Sequence, residues 1–244
     1  LTRRGILVTN APEGNTVAAA EHALALLLSL ARNVPAAHTS MRSGEWKRSK
    51  FMGHELLGKT LGLIGLGRIG GEVAGRARAF GMQVIACDPL ITVDKAREQG
   101  VELVELKTLL KRADYISLHA TLTPETKHLL GRREFQAMKR GVRIVNCARG
   151  GMMDETALAE AIRRGQVAGA ALDVFETEPP PKSHPLLTLD PVIMTPHLGA
   201  STEEAQENVS VAIAEQVRDY LLRGVVRSAV NAPAAAPEVQ RELE

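Results

Sequence analysis

The chain has 244 residues, 45% of them hydrophobic, which suits one large domain or two smaller ones around a sizeable core. Its 30 lysines and arginines nearly balance its 28 aspartates and glutamates, and the net charge of +2 gives no support for binding to nucleic acid or to a membrane. Two cysteines, Cys87 and Cys147, are too few for a disulfide framework and favour a reducing, cytoplasmic location.

The N-terminal part predicts a strand followed by a helix. Residues 5–14, GILVTNAPEG, are typical of a short buried strand that runs into a turn. A helix is predicted over residues 16–34, with Pro35 ending it. This helix contains the most apolar stretch, ALALLLSLA at residues 23–31, which is too short to span a bilayer and indicates a buried helix.

Six further strands are predicted from continuous apolar runs. Helical patterns lie between these runs, for example over residues 154–164. Continuous apolar strands that alternate with helices indicate a parallel sheet covered on both faces, so the predicted fold is α/β, a Rossmann-type doubly wound parallel sheet. The runs are LGLI, MQVIAC, YISLHA, VRIVNCA, VAGAALDVF and VIMT.

A long helix is predicted over residues 201–224. Ser201 and Glu204 match a capping box, and Gly224 supplies a C-terminal stop. A Pro/Ala-rich turn and another helix start are predicted in the tail after residue 231. Apolar residues recur every four positions along the long helix, at Ala205, Val209, Ile213, Val217 and Leu221.

A glycine-rich turn follows the predicted strand LGLI. Gly65, Gly67 and Gly70 fit the pattern G-x-G-x-x-G between a strand and a helix, and the next strand ends in Asp88. In a dinucleotide site the first glycine allows the turn, the second admits the pyrophosphate and the third packs the helix on the strand. The carboxylate of Asp88 would accept hydrogen bonds from ribose hydroxyls and repel a 2′-phosphate, which favours NAD over NADP. Alternatively, the glycines serve packing only.

Three ionisable side chains follow predicted strand ends in the second half of the chain. They are Arg149 after VRIVNCA, Glu178 in DVFETEPP and His197 in TPHLGAS. Ligands of doubly wound sheets bind at the carboxyl ends of the strands, so the three side chains are expected near one crevice. A guanidinium suits a carboxylate, and a histidine exchanges protons near neutral pH. Taken singly, each residue also fits an ordinary turn or packing role.

Together, the stretches GLGRIG, NCARGG, ALDVFETEPP and TPHLGAS resemble the D-isomer-specific 2-hydroxyacid dehydrogenases, and the resemblance covers nearly the whole chain. It implies NAD-dependent oxidation of a 2-hydroxy acid. His197 would be the acid/base, Glu178 would pair with it, and Arg149 would bind the substrate carboxylate and carbonyl. The other six histidines are interpreted as packing or surface residues: His22, His38, His54, His119, His128 and His184.

The resemblance also implies a set of cofactor contacts, and no metal site is predicted. Backbone N–H groups of Arg68 and Ile69 would meet the pyrophosphate, while Cys147 would line the nicotinamide side and Asp173 would contact its amide end. Ala120 stands where related enzymes often carry threonine, which would cost one cofactor hydrogen bond. The predicted cofactor-binding residues are Gly65, Gly67, Arg68, Ile69, Gly70, Asp88, Ala120, Cys147, Ala148, Arg149, Asp173, His197, Gly199 and Ala200.

Members of the family have two domains, and the resemblance implies how this chain divides. Residues 1–10 would be a remnant of a flavodoxin-like substrate domain, residues 11–199 the NAD-binding domain, and residues 200–244 the helix that crosses back. Because the chain starts at Leu1 rather than methionine, we expect a fragment that is weakly active alone. The family suggests a homodimer through the cofactor domain, using the helix at residues 16–34 and the loop around Trp46.

The substrate is open within this resemblance. One alternative is a family member that acts on glyoxylate or hydroxypyruvate, and another is an NAD(H)-sensing scaffold that shares the fold. The motifs alone do not separate these interpretations. Four stretches resemble the branch of the family that acts on a phosphorylated 2-hydroxy acid, and this resemblance implies such a substrate: GILVTNAPEGNTVAAAEHA, KFMGHELLGKTLG, AFGMQVIACDP and HLGASTEEAQENV.

Overall fold

The structure, a computed structural model, describes residues 1–232 and has a parallel β-sheet at its centre. The sheet order is β3-β2-β1-β4-β5-β6-β7, and every neighbouring pair is parallel. The strands within the described residues are β1 (Thr60–Ile64), β2 (Gln83–Cys87), β3 (Glu102–Leu103), β4 (Tyr115–Leu118), β5 (Val142–Asn146), β6 (Val167–Leu172) and β7 (Val192–Met194).

Helices connect the strands. Two short 3₁₀ helices, Thr2–Arg4 and Arg48–Phe51, also occur in the described part of the chain. No single helix among residues 1–232 is long and apolar enough to cross a membrane. The helices Thr16–Arg32 and Val34–Arg42, bent by 65° with respect to each other, would together be long and apolar enough by length and composition alone. The α-helices are α1 (Thr16–Arg32), α2 (Val34–Arg42), α3 (Arg68–Ala79), α4 (Val93–Glu98), α5 (Leu106–Arg112), α6 (Arg132–Ala137), α7 (Glu155–Arg163) and α8 (Glu203–Arg223).

The sheet carries a hydrophobic core on each face. Leu63 lies in one core and its neighbour Ile64 in the other, and Val145 and Ile144 divide in the same way. Successive side chains of a strand point to opposite faces, so a strand buried on both sides needs an unbroken apolar run. The predicted doubly wound α/β fold is therefore confirmed.

The strand order reverses between β1 and β4. From β1 the chain builds outward to β2 and β3, and it then returns to place β4 on the other side of β1. The connections that leave β1 and β4 run in opposite directions, which opens a crevice at their carboxyl ends. The glycine turn at Gly65 follows β1, and His119 and Ala120 follow β4, so both segments border this crevice.

The chain divides into two compact units. One comprises Ala19–Gly199 and contains the whole sheet, and the other combines Leu1–Ala18 with Ala200–Glu244. Within the second unit, the strand predicted in residues 5–14 is wrong. Only an isolated antiparallel bridge forms there, between Thr9 and Ala229. The partner segment has a left-handed residue, Ser228 at φ 50°, which prevents a regular ladder.

Helix ends differ from the sequence prediction in two places. The hydroxyl of Thr202, rather than Ser201, caps α8 by accepting from the Ala205 N–H at 3.0 Å, so the predicted capping box is wrong. Asn33 ends α1 in a left-handed conformation, whereas Pro35 lies in the first turn of α2, where its missing N–H has no intrahelical partner to lose.

The remaining differences concern short or late segments. The two-residue strand β3 was not predicted. Gly224 ends α8 with φ 66°, as predicted. The apolar repeat of α8 is not buried throughout, since Ala205 is buried whereas Val217 and Leu221 are exposed. The helix start predicted in the tail lies outside the described residues.

Candidate active site

The glycine turn is shaped by close backbone contacts. Gly65 has φ 98°, and a Cβ at this position would lie 2.6 Å from the Ala120 nitrogen, so only glycine fits. A Cβ on Gly70 would collide with the carbonyl oxygen of Gly65, which seats α3 directly on the turn. At Gly67, by contrast, a Cβ would meet nothing within 4 Å. The turn therefore leaves open space beside Gly67.

This open space lies at the N-terminus of α3. Gly67 is the N-cap residue and provides no side-chain hydrogen bond, and Arg68 and Ile69 form the first turn of a twelve-residue helix. First-turn N–H groups have no intrahelical acceptor, and the positive end of the helix dipole favours an anion. Free donors beside a cradle that a Cβ would fill fit the pyrophosphate of a dinucleotide.

Asp88 is held beside this turn. Its Oδ2 accepts a hydrogen bond from the Leu66 N–H at 2.8 Å, and its Oδ1 accepts one from the Leu90 N–H at 2.8 Å. The carboxylate therefore joins the end of β2 to the glycine turn. Each oxygen keeps a second lone pair, so Asp88 can still accept from the hydroxyls of a ribose.

Arg149 stands on a turn built by Asn146. The buried amide of Asn146 accepts from the Ala148 N–H and donates to the Arg149 carbonyl, both at 3.0 Å. The Arg149 side chain is exposed. A Cβ on the next residue, Gly150, would collide with the Phe175 carbonyl group. The backbone after Arg149 thus lies against the loop that follows β6.

That loop carries Glu178, which binds His197. The His197 Nδ1 and Glu178 Oε2 atoms are 2.8 Å apart, and Glu178 Oε1 accepts from the Phe175 N–H at 3.0 Å. Burial acts to raise the pKa of Glu178, but the hydrogen bonds from His197 and Phe175 and the charge of His197 outweigh it and hold that pKa below its ordinary value. Glu178 is therefore a carboxylate at neutral pH.

His197 itself has an unusual backbone conformation. Its φ is 56°, in the left-handed region that residues with a Cβ seldom adopt. The His197 N–H donates to the Asp173 carbonyl at 2.9 Å. The next two backbone N–H groups, of Leu198 and Gly199, donate to the Asp173 carboxylate at 2.7 and 2.8 Å. Asp173 therefore fixes the turn that presents the imidazole.

The buried Asp173 carboxylate has two further partners. The Thr195 hydroxyl donates to it at 2.6 Å, and the His22 Nε2 atom lies 3.1 Å away. Burial acts to raise the pKa of Asp173, but the hydrogen bonds from Thr195, Leu198 and Gly199 and the charge of His22 lower it below its ordinary value. The site thus contains a buried carboxylate that stays ionised.

His22 and His119 were interpreted from the sequence as packing or surface residues, and the structure gives both a more specific place. His22 lies on α1, and its contact with Asp173 spans 151 positions that no sequence spacing signals. His119 is partly buried beside the glycine turn, where burial lowers the pKa of its imidazole to about 4, and its ring contacts the Ser117 hydroxyl at 2.8 Å. His119 is therefore neutral at pH 7.

The other predicted cofactor residues lie at strand ends or just beyond them. Cys147 is buried after β5, and burial, aided by the charge of Asp173, raises the pKa of its thiol far above the ordinary value, so it stays protonated. Ala148 and Ala120 are partly buried, and Ala120 follows β4 beside Gly65. Ala200 is exposed. The contacts of these residues with a cofactor stay predictions.

The sequence and the fold were compared with known proteins. Residues 24–199 match the family described as D-isomer specific 2-hydroxyacid dehydrogenase, NAD binding domain. The chain belongs to this family, and NAD is the cofactor that the glycine turn and Asp88 fit.

Among curated relatives, the chain is similar to D-3-phosphoglycerate dehydrogenases. It is 52% identical over 242 residues to the enzyme of Synechocystis sp., covering 99% of this chain and 44% of the relative. It is 53% identical over 233 residues to the enzyme of Methanocaldococcus jannaschii, covering 95% and 44%. The chain thus spans less than half the length of these relatives.

Solved structures show the same fold. A glyoxylate reductase from Paecilomyes thermophila superposes with a TM-score of 0.87 at 36% identity, covering 94% of this chain and 69% of that one. A D-lactate dehydrogenase from Aquifex aeolicus, complexed with NAD and lactic acid, superposes with a TM-score of 0.83 at 33% identity, covering 95% and 75%.

Proposed function

We propose that the chain is the cofactor-binding part of a D-3-phosphoglycerate dehydrogenase. That enzyme oxidises 3-phospho-D-glycerate to 3-phosphohydroxypyruvate with NAD⁺, the first step of serine biosynthesis. The observation that carries the proposed chemistry is the His197–Glu178 pair at 2.8 Å on the ligand side of the sheet. The particular substrate is supported by the identity of 52–53% to D-3-phosphoglycerate dehydrogenases.

The pair defines which nitrogen of His197 moves the proton. An ionised carboxylate only accepts hydrogen bonds, so Glu178 holds the imidazole proton on Nδ1 and leaves the lone pair on Nε2. Nε2 therefore removes the 2-hydroxyl proton as the C2 hydrogen leaves as hydride and the carbonyl forms. The acceptor of this hydride would be NAD⁺, held at the glycine turn. In the reverse direction Nε2 returns the proton.

Arg149 is proposed to bind the substrate carboxylate and to polarise the carbonyl. Its guanidinium offers paired donors that match a carboxylate, its side chain is exposed, and the next residue, Gly150, lies against the loop that carries Glu178. Together, Arg149, Glu178 and His197 supply an anion-binding group, an orienting group and a proton carrier.

The remaining site residues are assigned to NAD. The open cradle at Gly67 and the first turn of α3 support pyrophosphate binding by the Arg68 and Ile69 N–H groups. Asp88 supports binding of the ribose hydroxyls and discrimination against the 2′-phosphate of NADP. Asp173 is proposed to lie near the nicotinamide amide.

The domain and partner assignments are proposals as well. We assign the sheet unit to the NAD-binding domain and the unit formed by the two chain ends to the base of a substrate domain. A homodimer is supported by exposed apolar side chains after α2, among them Trp46 at 76% and Met52 at 79% exposure, and by a cleft of about 800 Å³ along α1 and α2. A cytoplasmic location accords with the two free cysteines.

A substrate screen tests the proposed function. In the full-length enzyme, meaning this chain joined to the rest of the length found in its relatives, we expect NAD-dependent oxidation of 3-phosphoglycerate to exceed that of glycolate, glycerate and lactate. A glyoxylate or hydroxypyruvate reductase is the second candidate because of the fold shared with the Paecilomyes thermophila enzyme, and it predicts the opposite preference. NADH binding without turnover of any of these acids would indicate a cofactor-sensing scaffold.

A further inference from the structure

A second histidine–carboxylate pair lies on the far side of the loop that carries Glu178. His184 Nε2 and Glu155 Oε2 are 2.7 Å apart, and each side chain is only 11% exposed. The His184 ring also packs edge-on against Phe175, with 5.8 Å between ring centroids. Removing two polar side chains from water costs free energy that their mutual hydrogen bond only offsets, so the position of this pair calls for an explanation.

The same carboxylate also holds the middle of the loop. Glu155 Oε1 accepts a hydrogen bond from the Glu176 N–H at 2.8 Å, while Oε2 binds His184 eight positions further along the chain. Glu155 is the first residue of α7, so its backbone is anchored in regular structure. The side chain of Glu155 therefore holds the loop at two positions, the Glu176 N–H and the His184 ring.

Glu178 itself lies between those two points of the loop. The Phe175 N–H, which donates to Glu178, precedes the Glu176 N–H that Glu155 holds. The carbonyl between these two nitrogens rests on Gly150, the residue after Arg149. Glu155 holds the N–H of the Phe175–Glu176 peptide, so loss of that bond would free the backbone of residues 176–178 to move and would displace Glu178 from the Phe175 N–H and from His197. Glu155 thus acts on the proton carrier through the backbone.

We propose that Glu155 and His184 are positioning residues for the reaction: they hold the Phe175–Glu178 turn so that Glu178 meets His197 Nδ1. This inference rests on the proposed function, because it assigns the pair a task in that reaction. Neither residue hydrogen-bonds to Glu178 or His197 within the described chain, so their effect on catalysis is indirect.

Kinetics of three variants of the full-length enzyme test the proposal. Glu155→Ala removes both contacts and should lower kcat by about 10- to 100-fold while the KM for NAD changes less than about threefold. Glu155→Gln keeps an acceptor for the Glu176 N–H and should restore kcat to within about threefold. The matched control is the adjacent residue: Asp154→Ala removes the α7 cap, a bond to the Ala157 N–H, and should leave kcat unchanged.

A measurement without turnover separates this proposal from the proposed function. In the 244-residue chain, the imidazole of His197 is followed by NMR across pH, with Glu178→Gln as reference. Glu155→Ala should move the titration midpoint in the same direction as the reference, and Asp154→Ala should not.

The outcomes are distinct. An enzyme that oxidises no 2-hydroxy acid, yet shows the NMR shift, contradicts the proposed function and leaves the positioning role intact. An active enzyme in which Glu155→Ala matches Asp154→Ala in kcat and in the His197 titration contradicts the positioning role. Equal losses of kcat in Glu155→Ala and Glu155→Gln would also contradict the positioning role, because the acceptor that glutamine retains for the Glu176 N–H would then have no effect.

Discussion

At the residue scale, His197 is placed by its backbone as much as by its ring. Its left-handed φ of 56° is held by the Asp173 carbonyl and carboxylate, which together accept from three consecutive N–H groups. Glu178 then fixes the ring through Nδ1. A conformation that costs free energy by itself persists here because the surrounding hydrogen bonds over-determine it. Such over-determination is expected where a side chain must meet a substrate.

Removal of the His197 imidazole tests its role as proton carrier. In the full-length enzyme His197→Ala should lower kcat by about 10²–10⁴, the usual range for loss of an acid/base, while NADH affinity changes little. The exposed His38 provides the control, because His38→Ala removes the same group far along the chain from the site. Near-normal turnover of His197→Ala would return this residue to a structural role.

The Asp173 carboxylate should matter for stability in a pH-dependent way. Asp173→Asn replaces an acceptor oxygen by a donor NH₂ group beside backbone N–H groups. We expect this change to lower the free energy of unfolding by roughly 1–3 kcal/mol at pH 7. The pKa of Asp173 is lowered in the folded chain, so its stabilisation is present above the ordinary carboxyl pKa and is lost as the pH falls through the folded value.

Denaturant unfolding at pH 7 and in strong acid checks this expectation. The difference in the free energy of unfolding between the unmodified chain and Asp173→Asn should be largest at pH 7 and should shrink in acid. The exposed Asp190 supplies a matched control, since Asp190→Asn should leave stability unchanged at both values. A difference that grew in acid would contradict the ionised state assigned to Asp173.

At the element scale, the sequence predicts what depends on local pattern. The six longer strands are mainly apolar runs, although Arg143 interrupts β5 and Ser117 interrupts β4, and the glycine spacing marks the turn between β1 and α3. The two-residue strand β3 carries too few residues to show a period, and its pairing with β2 depends on the rest of the sheet. Adjacent Ser201 and Thr202 are both good caps, so local preference could not decide between them.

In the candidate site too, local features could be predicted from the sequence whereas long-range contacts could not. The positions of Arg149, Glu178 and His197 after strand ends were predictable from the sequence, while their roles in the reaction stay predictions. The contact between His22 and Asp173 and the hold of Glu155 on the Glu176 N–H join segments that only the folded chain brings together. Side chains that support a site from a distant element leave no spacing signal in the sequence.

Gly67 at the N-cap of α3 and Gly75 within the helix offer a matched test of the cofactor cradle. Gly67→Ala introduces a methyl group that meets no protein atom, so stability should hold while NADH affinity falls about tenfold or more. Gly75, exposed in the middle of α3, also has open space, and Gly75→Ala should raise stability by roughly 0.5–1 kcal/mol without affecting NADH. Calorimetric titration and thermal unfolding measure the two effects. Equal NADH affinities in the two variants would rule out the cradle.

At the scale of the whole molecule, the sheet unit contains the complete set of proposed reacting groups. The glycine turn, Asp88, Arg149, Glu178 and His197 all lie within Ala19–Gly199. The chain nevertheless covers only 44% of the length of its curated relatives. Cofactor binding and turnover are therefore expected to have different requirements.

We predict that the 244-residue chain binds NADH by itself but oxidises 3-phosphoglycerate far more slowly than the full-length enzyme. The reacting groups are present, whereas positioning of a substrate and exclusion of water depend on a closed cleft and can be worth several kcal/mol. Calorimetry with NADH and a turnover assay of both proteins decide the matter. Equal turnover would show that the sheet unit and its partner unit suffice.

The approach of Gly150 to the Phe175 carbonyl has a consequence for how the site withstands heat. The distance between the backbone after Arg149 and the loop that carries Glu178 is set by a contact between two main-chain segments, at Gly150 and at Phe175, with no side chain between them. Main-chain atoms have no rotamers to populate as the temperature rises. The backbone segments that carry Arg149 and Glu178 should therefore keep their separation until the sheet itself unfolds, so we expect activity to be lost on heating together with the fold and not before it.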